Sequence, residues 1–171
     1  LTPMFMEDAL AEQGVDPDRV GAVIKTHLHD DHCGNNALFT KAKVYIQQKE
    51  LDFCANPHPL DHRYEPAFIE DDDIVALDGD AELYPGIEVF LTPGHSPGSQ
   101  TVRVQTRSGP VVIAGMCSNA LNFPESGPAV CPGVHTDAIQ AYETAQRIKV
   151  LGGLGGIILP LHDLGLAGKK Y

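Results

Sequence analysis

An α+β fold in one layered domain, residues 1–171, is what this sequence predicts, on three observations. A short apolar run at 20–25 leads into a polar loop and then helical patterning. Short β runs at close spacing follow between 74 and 115, and a long amphipathic segment at 137–150 separates them from a last apolar run at 156–161. The length is that of one domain, and neither an internal repeat nor a linker divides it.

Taken in order, residues 4–13 carry Met4, Phe5, Ala9 and Leu10 among acidic residues, which predicts a short amphipathic helix stopped at Gly14 and the Asp16-Pro17 turn. The run 20–25 is a buried strand whose C-terminal end presents the polar segment 26–34. A helical turn at 36–39, a strand at 43–47 and a helix at 49–54 come next. Residues 55–73, rich in proline, histidine and acid, are a long excursion of the kind that forms a lid or binding loop. Runs at 74–77, 87–91, 101–106 and 110–114, with Asp78-Gly79 and Ser108-Gly109 as turns, predict an antiparallel sheet. Thr136 is a suitable N-cap for the helix, whose stripe is Ile139, Tyr142, Ala145 and Ile148. The strand at 156–161 delivers His162-Asp163.

Composition excludes several functions. With 12 Lys+Arg against 23 Asp+Glu, a net charge of -11, the average surface repels nucleic acid. No apolar stretch approaches the roughly 18 residues of a membrane span. Cys33, Cys54, Cys117 and Cys131 form no CxxC pair, so neither a zinc ribbon nor a disulfide framework is expected, and a reducing, cytoplasmic setting fits.

Chemistry concentrates in His27, His29, Asp31 and His32, a His-x-His-x-Asp-His pattern that this composition yields by chance about once in a thousand such chains. Two histidines one residue apart in extended backbone point the same way, and a following turn aims Asp31 and His32 at a second point nearby. Imidazole with carboxylate suits zinc, iron or manganese better than calcium or magnesium. His95 sits between two Pro-Gly pairs, in a turn that fixes its backbone, and His162 stands at a strand's end. His58, His62 and Tyr64 in the long loop are candidates for a pocket wall, His135 is expected to be structural or exposed, and Glu70 to Asp73 a solvated face.

These segments, 26–34, 92–99, 111–115 and 160–163, resemble in order and spacing the metallo-β-lactamase-fold hydrolases. Asn122-Phe123, 133–149 and His162-Asp163 are most similar to the N-acyl homoserine lactonase branch, and the resemblance covers nearly the whole chain. It implies an αββα sandwich with two divalent transition metals at one edge between the sheets, zinc first, with iron or manganese as alternatives. By motif position His27, His29 and His95 would hold metal one, and Asp31, His32 and His162 metal two. Two departures stand out. Where the family carries an Asp that bridges the metals, this chain has Met116-Cys117-Ser118. A thioether is a poor ligand for a hard centre, so Cys117, one residue on, is the alternative ligand, with a buried inert thiol as the competing reading. The second departure is at the front: strands of the first sheet are unaccounted for and Leu1 is no initiator. A companion polypeptide, or a piece of the same precursor, is therefore expected to complete that sheet.

The function expected is a metal-dependent hydrolase that activates a metal-bound water to open a small lactone, ester, thioester or amide, with Asp31 orienting the water and moving its proton, and Tyr64 near the substrate. The alternative is an iron-dependent oxidoreductase on the same fold, like the sulfur dioxygenases, using three protein ligands. A scaffold with a decayed second site is the non-enzymatic reading, disfavoured by the presence of His32 and His162. An oligomer is compatible with either enzyme.

Overall fold

Three parallel strands, β1 (Ala22–Ile24), β2 (Lys43–Gln47) and β3 (Asp73–Leu77), make the first sheet in that order. The computed structural model describes residues 5–169. Met4, expected in the first helix, and Leu1 lie outside the described residues. Parallel neighbours need crossovers. Residues 25–42 supply one, and α3 (Gln48–Ala55) with the long excursion supplies the other. The expectation that 74–77 opens the antiparallel sheet is thus corrected, because the excursion returns that run to the edge of the first sheet, parallel to β2.

The second sheet has five strands in sequence order: β4 (Ala81–Tyr84), β5 (Ile87–Leu91), β6 (Gln100–Thr106), β7 (Gly109–Ala114) and β8 (Ile157–Pro160). The first four pair antiparallel, whereas β8 joins β7 in parallel after a crossover through α4 (Ala138–Gly152). β4 was not expected, since Ala81-Glu82-Leu83-Tyr84 is too short and polar to stand out. The chain changes sheet at Gly79, whose φ of +91° suits glycine. Gln47 clamps that turn, its Oε1 accepting from Gly79 N and its Nε2 donating to Gly79 O, both at 2.9 Å.

Two apolar clusters form rather than one. Leu28, Cys33, Ile46, Cys54 and Tyr64 pack between the first sheet and α3, and Val112, Ala114, Met116, Ala129, Ala141, Ala145 and Ile148 between the second sheet and α4. Between the sheets, fully buried Gln100 donates from its backbone to Thr26 O at 2.8 Å and from Nε2 to Lys25 O at 2.6 Å, and its Oε1 accepts from Gln47 Nε2 at 2.8 Å. These bonds bring the end of β1 beside the start of β6.

Helix details differ from the expectation. α1 (Met6–Glu12) buries no residue. The N-cap of α4 is Asp137, whose carboxylate accepts from Ile139 N and Gln140 N at 2.9 and 3.0 Å, because the Thr136 hydroxyl is committed to Gly94 O. The buried face is Ala141, Thr144, Ala145 and Ile148, which share one side at about 100° per residue, while Ile139 and Tyr142 are exposed. Within Glu70 to Asp73, Asp72 is half-buried and accepts from Asn36 Nδ2 at 2.6 Å. No helix among the described residues is long and apolar enough to cross a membrane.

Candidate metal centre

The segment leaving β1 is extended, so alternate side chains face opposite ways. Leu28 enters the first apolar cluster while His27 and His29 turn together to the other side, all three at 1% exposure or less. His95 meets them from the turn 92–99. That turn is closed by Thr92 N donating to Ser99 O at 2.8 Å and Ser99 Oγ donating to Thr92 O at 2.6 Å. Its glycines are required by neighbours: a Cβ on Gly94, at φ +125°, would lie 2.3 Å from Ala141 N, and one on Gly98 2.1 Å from Glu50 N. The turn is wedged against the first turns of α4 and α3. One ring nitrogen from each of His27, His29 and His95 lies within 4.8 Å of the others.

A second group forms beside the first. Asp31 and His32 lie on the one-turn helix α2 (Asp30–Cys33), and His162 follows β8, held by its N–H donating to Ser118 O at 3.0 Å. Asp31 Oδ2 is 3.3 Å from His32 Nε2 and 3.7 Å from His162 Nε2. Asp31 and His162 are exposed, unlike the first three histidines.

The rings are set up as neutral donors of lone pairs. Burial is the main force that pushes the His27 imidazole well below its ordinary pKa, aided by His32 and His95. His95 and His32 are each pushed down to about 4, again chiefly by burial. His95 Nδ1 lies 2.9 Å from Val134 O and can only donate there, so its Nε2 is a bare lone pair. His29 Nε2 lies 3.2 Å from Asp61 Oδ2, so as donor to that carboxylate it leaves Nδ1 bare. Lone pairs aimed inward, with outward N–H groups held by carbonyl and carboxylate, are the arrangement of histidines around a transition metal. The residues present therefore fit such an ion in each group.

Several residues that sequence reading does not single out support this arrangement. Asp61 accepts from Arg63 Nε and Nη2, both at 2.8 Å. Burial opposes its ionised form, but Arg63 and His29 outweigh that and hold its carboxyl below the usual range. Glu50, with no exposed surface, accepts hydrogen bonds from both loops of the first group, at Leu28 and at Ser96. A buried carboxylate on a short helix looks like any surface glutamate in a sequence, so nothing marked Glu50. Asp61 and Arg63 lie in the long loop, where no sequence signal marks them.

The remaining expectations resolve as follows. Tyr64 is buried in the first apolar cluster and lines neither of the two cavities beside the centre: its ring stacks edge-on to His29 at 4.7 Å and its hydroxyl donates to Glu50 Oε1 at 2.8 Å, with burial raising its pKa. Met116 is completely buried in the second apolar cluster and is not among either group of candidate ligands. Cys117 lies on the wall of an open cavity of about 280 Å³ with Asp31, His32, His95, His162 and Arg63, but belongs to neither group of three. Burial pushes its thiol pKa up, Arg63 opposing. His58 lines a second cavity of about 340 Å³ with Leu60, Arg63 and His135, so Arg63 is the wall between the two; His62 is not in that lining. His135 Nδ1 donates to Pro132 O at 2.8 Å.

Comparison with known proteins identifies the family. The model of the metallo-beta-lactamase superfamily matches residues 2–150. An N-acyl homoserine lactonase of Bacillus thuringiensis is 34% identical over 105 residues, 61% of this chain and 41% of that protein. One from Bacillus cereus is 31% identical over 140 residues, 82% of this chain and 54% of that protein. The chain thus spans about half the length of the curated relatives it matches. The solved structure of an N-acyl homoserine lactone hydrolase, with the product N-hexanoyl-L-homoserine bound at its catalytic metal center, is similar at a TM-score of 0.76 and 28% identity, covering 96% of this chain and 66% of that one.

Proposed function

We propose, from the premise that the chain belongs to the metallo-beta-lactamase superfamily of hydrolases, that it carries the centre of a dinuclear metal-dependent hydrolase opening N-acyl homoserine lactones or closely related cyclic esters. The observation that carries this reading is the convergence of two adjoining groups, His27, His29 and His95 beside Asp31, His32 and His162, of which all but the buried His27 line one open cavity. His27, His29 and His95 would hold the first metal, and Asp31, His32 and His162 the second, with zinc the best match to an imidazole-rich set. When bound, such ions lower the pKa of water toward ~7 and polarise a carbonyl, which dispenses with a serine or cysteine nucleophile.

The chain's own groups then have distinct tasks. Asp31, half exposed on the cavity wall, is the carboxylate that orients the attacking water and takes its proton. Arg63 spends Nε and Nη2 on Asp61, which leaves Nη1 to donate to the oxygen on which charge develops. Cys117 is within the same wall and would complete the second set only as a thiolate, for which a metal must overcome the burial that favours the thiol.

Metal analysis joined to turnover tests the proposal. The purified protein is expected to hold two zinc equivalents and to release acid from N-acyl homoserine lactones faster than it turns over a thioester or a β-lactam. A fully loaded protein that opens no lactone would refute it. The iron-dependent oxidoreductase reading is favoured by one observation, the buried Met116 in place of a bridging carboxylate, and predicts a single iron per chain.

A further inference from the structure

We propose that Glu50 is the positioning residue that fixes the spacing of His27, His29 and His95, and so sets the affinity of that group for its metal. The inference rests on the metal-binding reading of those three histidines, but not on any substrate. Glu50 sits in the first turn of α3 with no exposed surface, and its hydrogen bonds go to Leu28, Tyr64, Ser96 and Gly98 rather than to the three imidazoles. Its carboxylate receives four hydrogen bonds from three separate stretches of chain. Oε1 accepts from Leu28 N at 3.0 Å, between His27 and His29, and from Tyr64 Oη at 2.8 Å. Oε2 accepts from Ser96 Oγ at 2.6 Å and Gly98 N at 3.1 Å, immediately after His95.

One buried anion therefore ties the His27–His29 segment to the His95 turn, and through Tyr64 also steadies the ring of His29. The glycine at 98 exists for this contact, since any Cβ there would collide with the backbone of Glu50 itself. Charge supports the same role. The three imidazoles contribute no negative charge to a divalent ion, and two buried carboxylates, Glu50 and Asp61, lie behind them.

Only a carboxylate can fill this position. Two of the four partners are backbone N–H groups, one on each oxygen, and neither can turn round to accept. In Glu50→Gln the side-chain NH2 must replace one oxygen, so in either orientation it faces one of those N–H groups and releases that loop. Tyr64→Phe and Ser96→Ala instead remove one hydroxyl donor each and leave both backbone anchors in place.

The experiment is a zinc titration of the full chain against a chromophoric chelator, with His95→Ala and His162→Ala used to assign the two binding steps. For Glu50→Gln, affinity at the His27, His29 and His95 step is expected to fall about 10- to 100-fold, the size usual for loss of an outer support, with the other step changed less than threefold. Ser96→Ala and Tyr64→Phe are expected to give smaller losses at the same step. If Glu50→Gln does not fold, the Ser96→Ala and Tyr64→Phe double variant carries the test and should lose the same step selectively. Equal weakening of both steps, or a lowered melting temperature of the metal-free protein with both affinities unchanged, overturns the proposal. Lactone turnover is not the readout, so an inactive enzyme with the selective loss would leave Glu50 in its role while refuting the proposed substrate.

Discussion

Replacing Asp61 by alanine removes the group that holds His29 in its metal-ready form. The structure allows the cost to be worked out. His29 is 1% exposed and gives its Nε2 proton to Asp61 Oδ2 at 3.2 Å, so the variant strands a buried N–H without an acceptor and no longer pins the tautomer whose Nδ1 lone pair faces inward. A hydrogen bond to a charged partner contributes about 1.5–3 kcal/mol. At 1.4 kcal/mol per factor of ten, that becomes roughly a 10- to 100-fold loss of zinc affinity at the first step, in line with other outer supports of metal-bound histidine. Asp61→Asn should lose less, since its remaining oxygen can face His29 if Arg63 gives up one bond of its fork. The assay is stepwise zinc competition at pH 7.5, with circular dichroism to establish folding. A first-step affinity within twofold of the parent in Asp61→Ala would show that His29 needs no such partner.

Three other outcomes are expected. Metal-free protein should lose stability on acidification: burial holds His95 down to about 4, against about 6.5 unfolded, so the unfolded chain takes up the proton first. The contribution is intact above pH 6.5 and falls by about 2 kcal/mol at pH 5. Denaturant midpoints in chelator should fall across that window, and a His95→Gln variant as pH-sensitive as its parent would contradict this. If Cys117 is a ligand, Cys117→Ala should lose the second metal and keep the first by elemental analysis; two retained metals would mark it as packing. Ile148→Ala, which empties a fully buried position under α4, should cost about 2–5 kcal/mol in urea unfolding, and a cost below 1 kcal/mol would mean that the second cluster closes around the gap.

The residues gathered at the centre were visible in the sequence because imidazole has few common structural uses in dense clusters, and because strand ends and proline-glycine turns announce rigid presentation. Sheet membership was less legible. The run at 74–77 reads the same whether it pairs with β2 or with the later hairpins, and only the path of the excursion decides. The cap of α4 was misread by one residue because Thr136 and Asp137 are both good caps, and the choice was made by the Gly94 carbonyl, 42 residues away in sequence. Ile139 and Tyr142 face outward for a separate reason: residues spaced strictly by three drift about 60° per step around a helix, so Ile139 and Ile148 cannot share a face. Glu50 and Asp61 were illegible for a related reason: their meaning lies in what donates to them, and those donors come from distant stretches.

Gln47 and Gln100 tie the two sheets by buried hydrogen bonds beside the buried Val89 and Val102, and that polar join bears on how the molecule ages. Water can substitute for a hydrogen bond but not for a packed methyl group, so solvent reaching Gln47 and Gln100 would loosen this join before it loosened the apolar clusters. Ions held by His27 and His29 on one side and His95 on the other would rivet that join shut. Their supply would then govern exposure to proteases, and the lifetime of the protein in a cell would follow the metal economy of that cell.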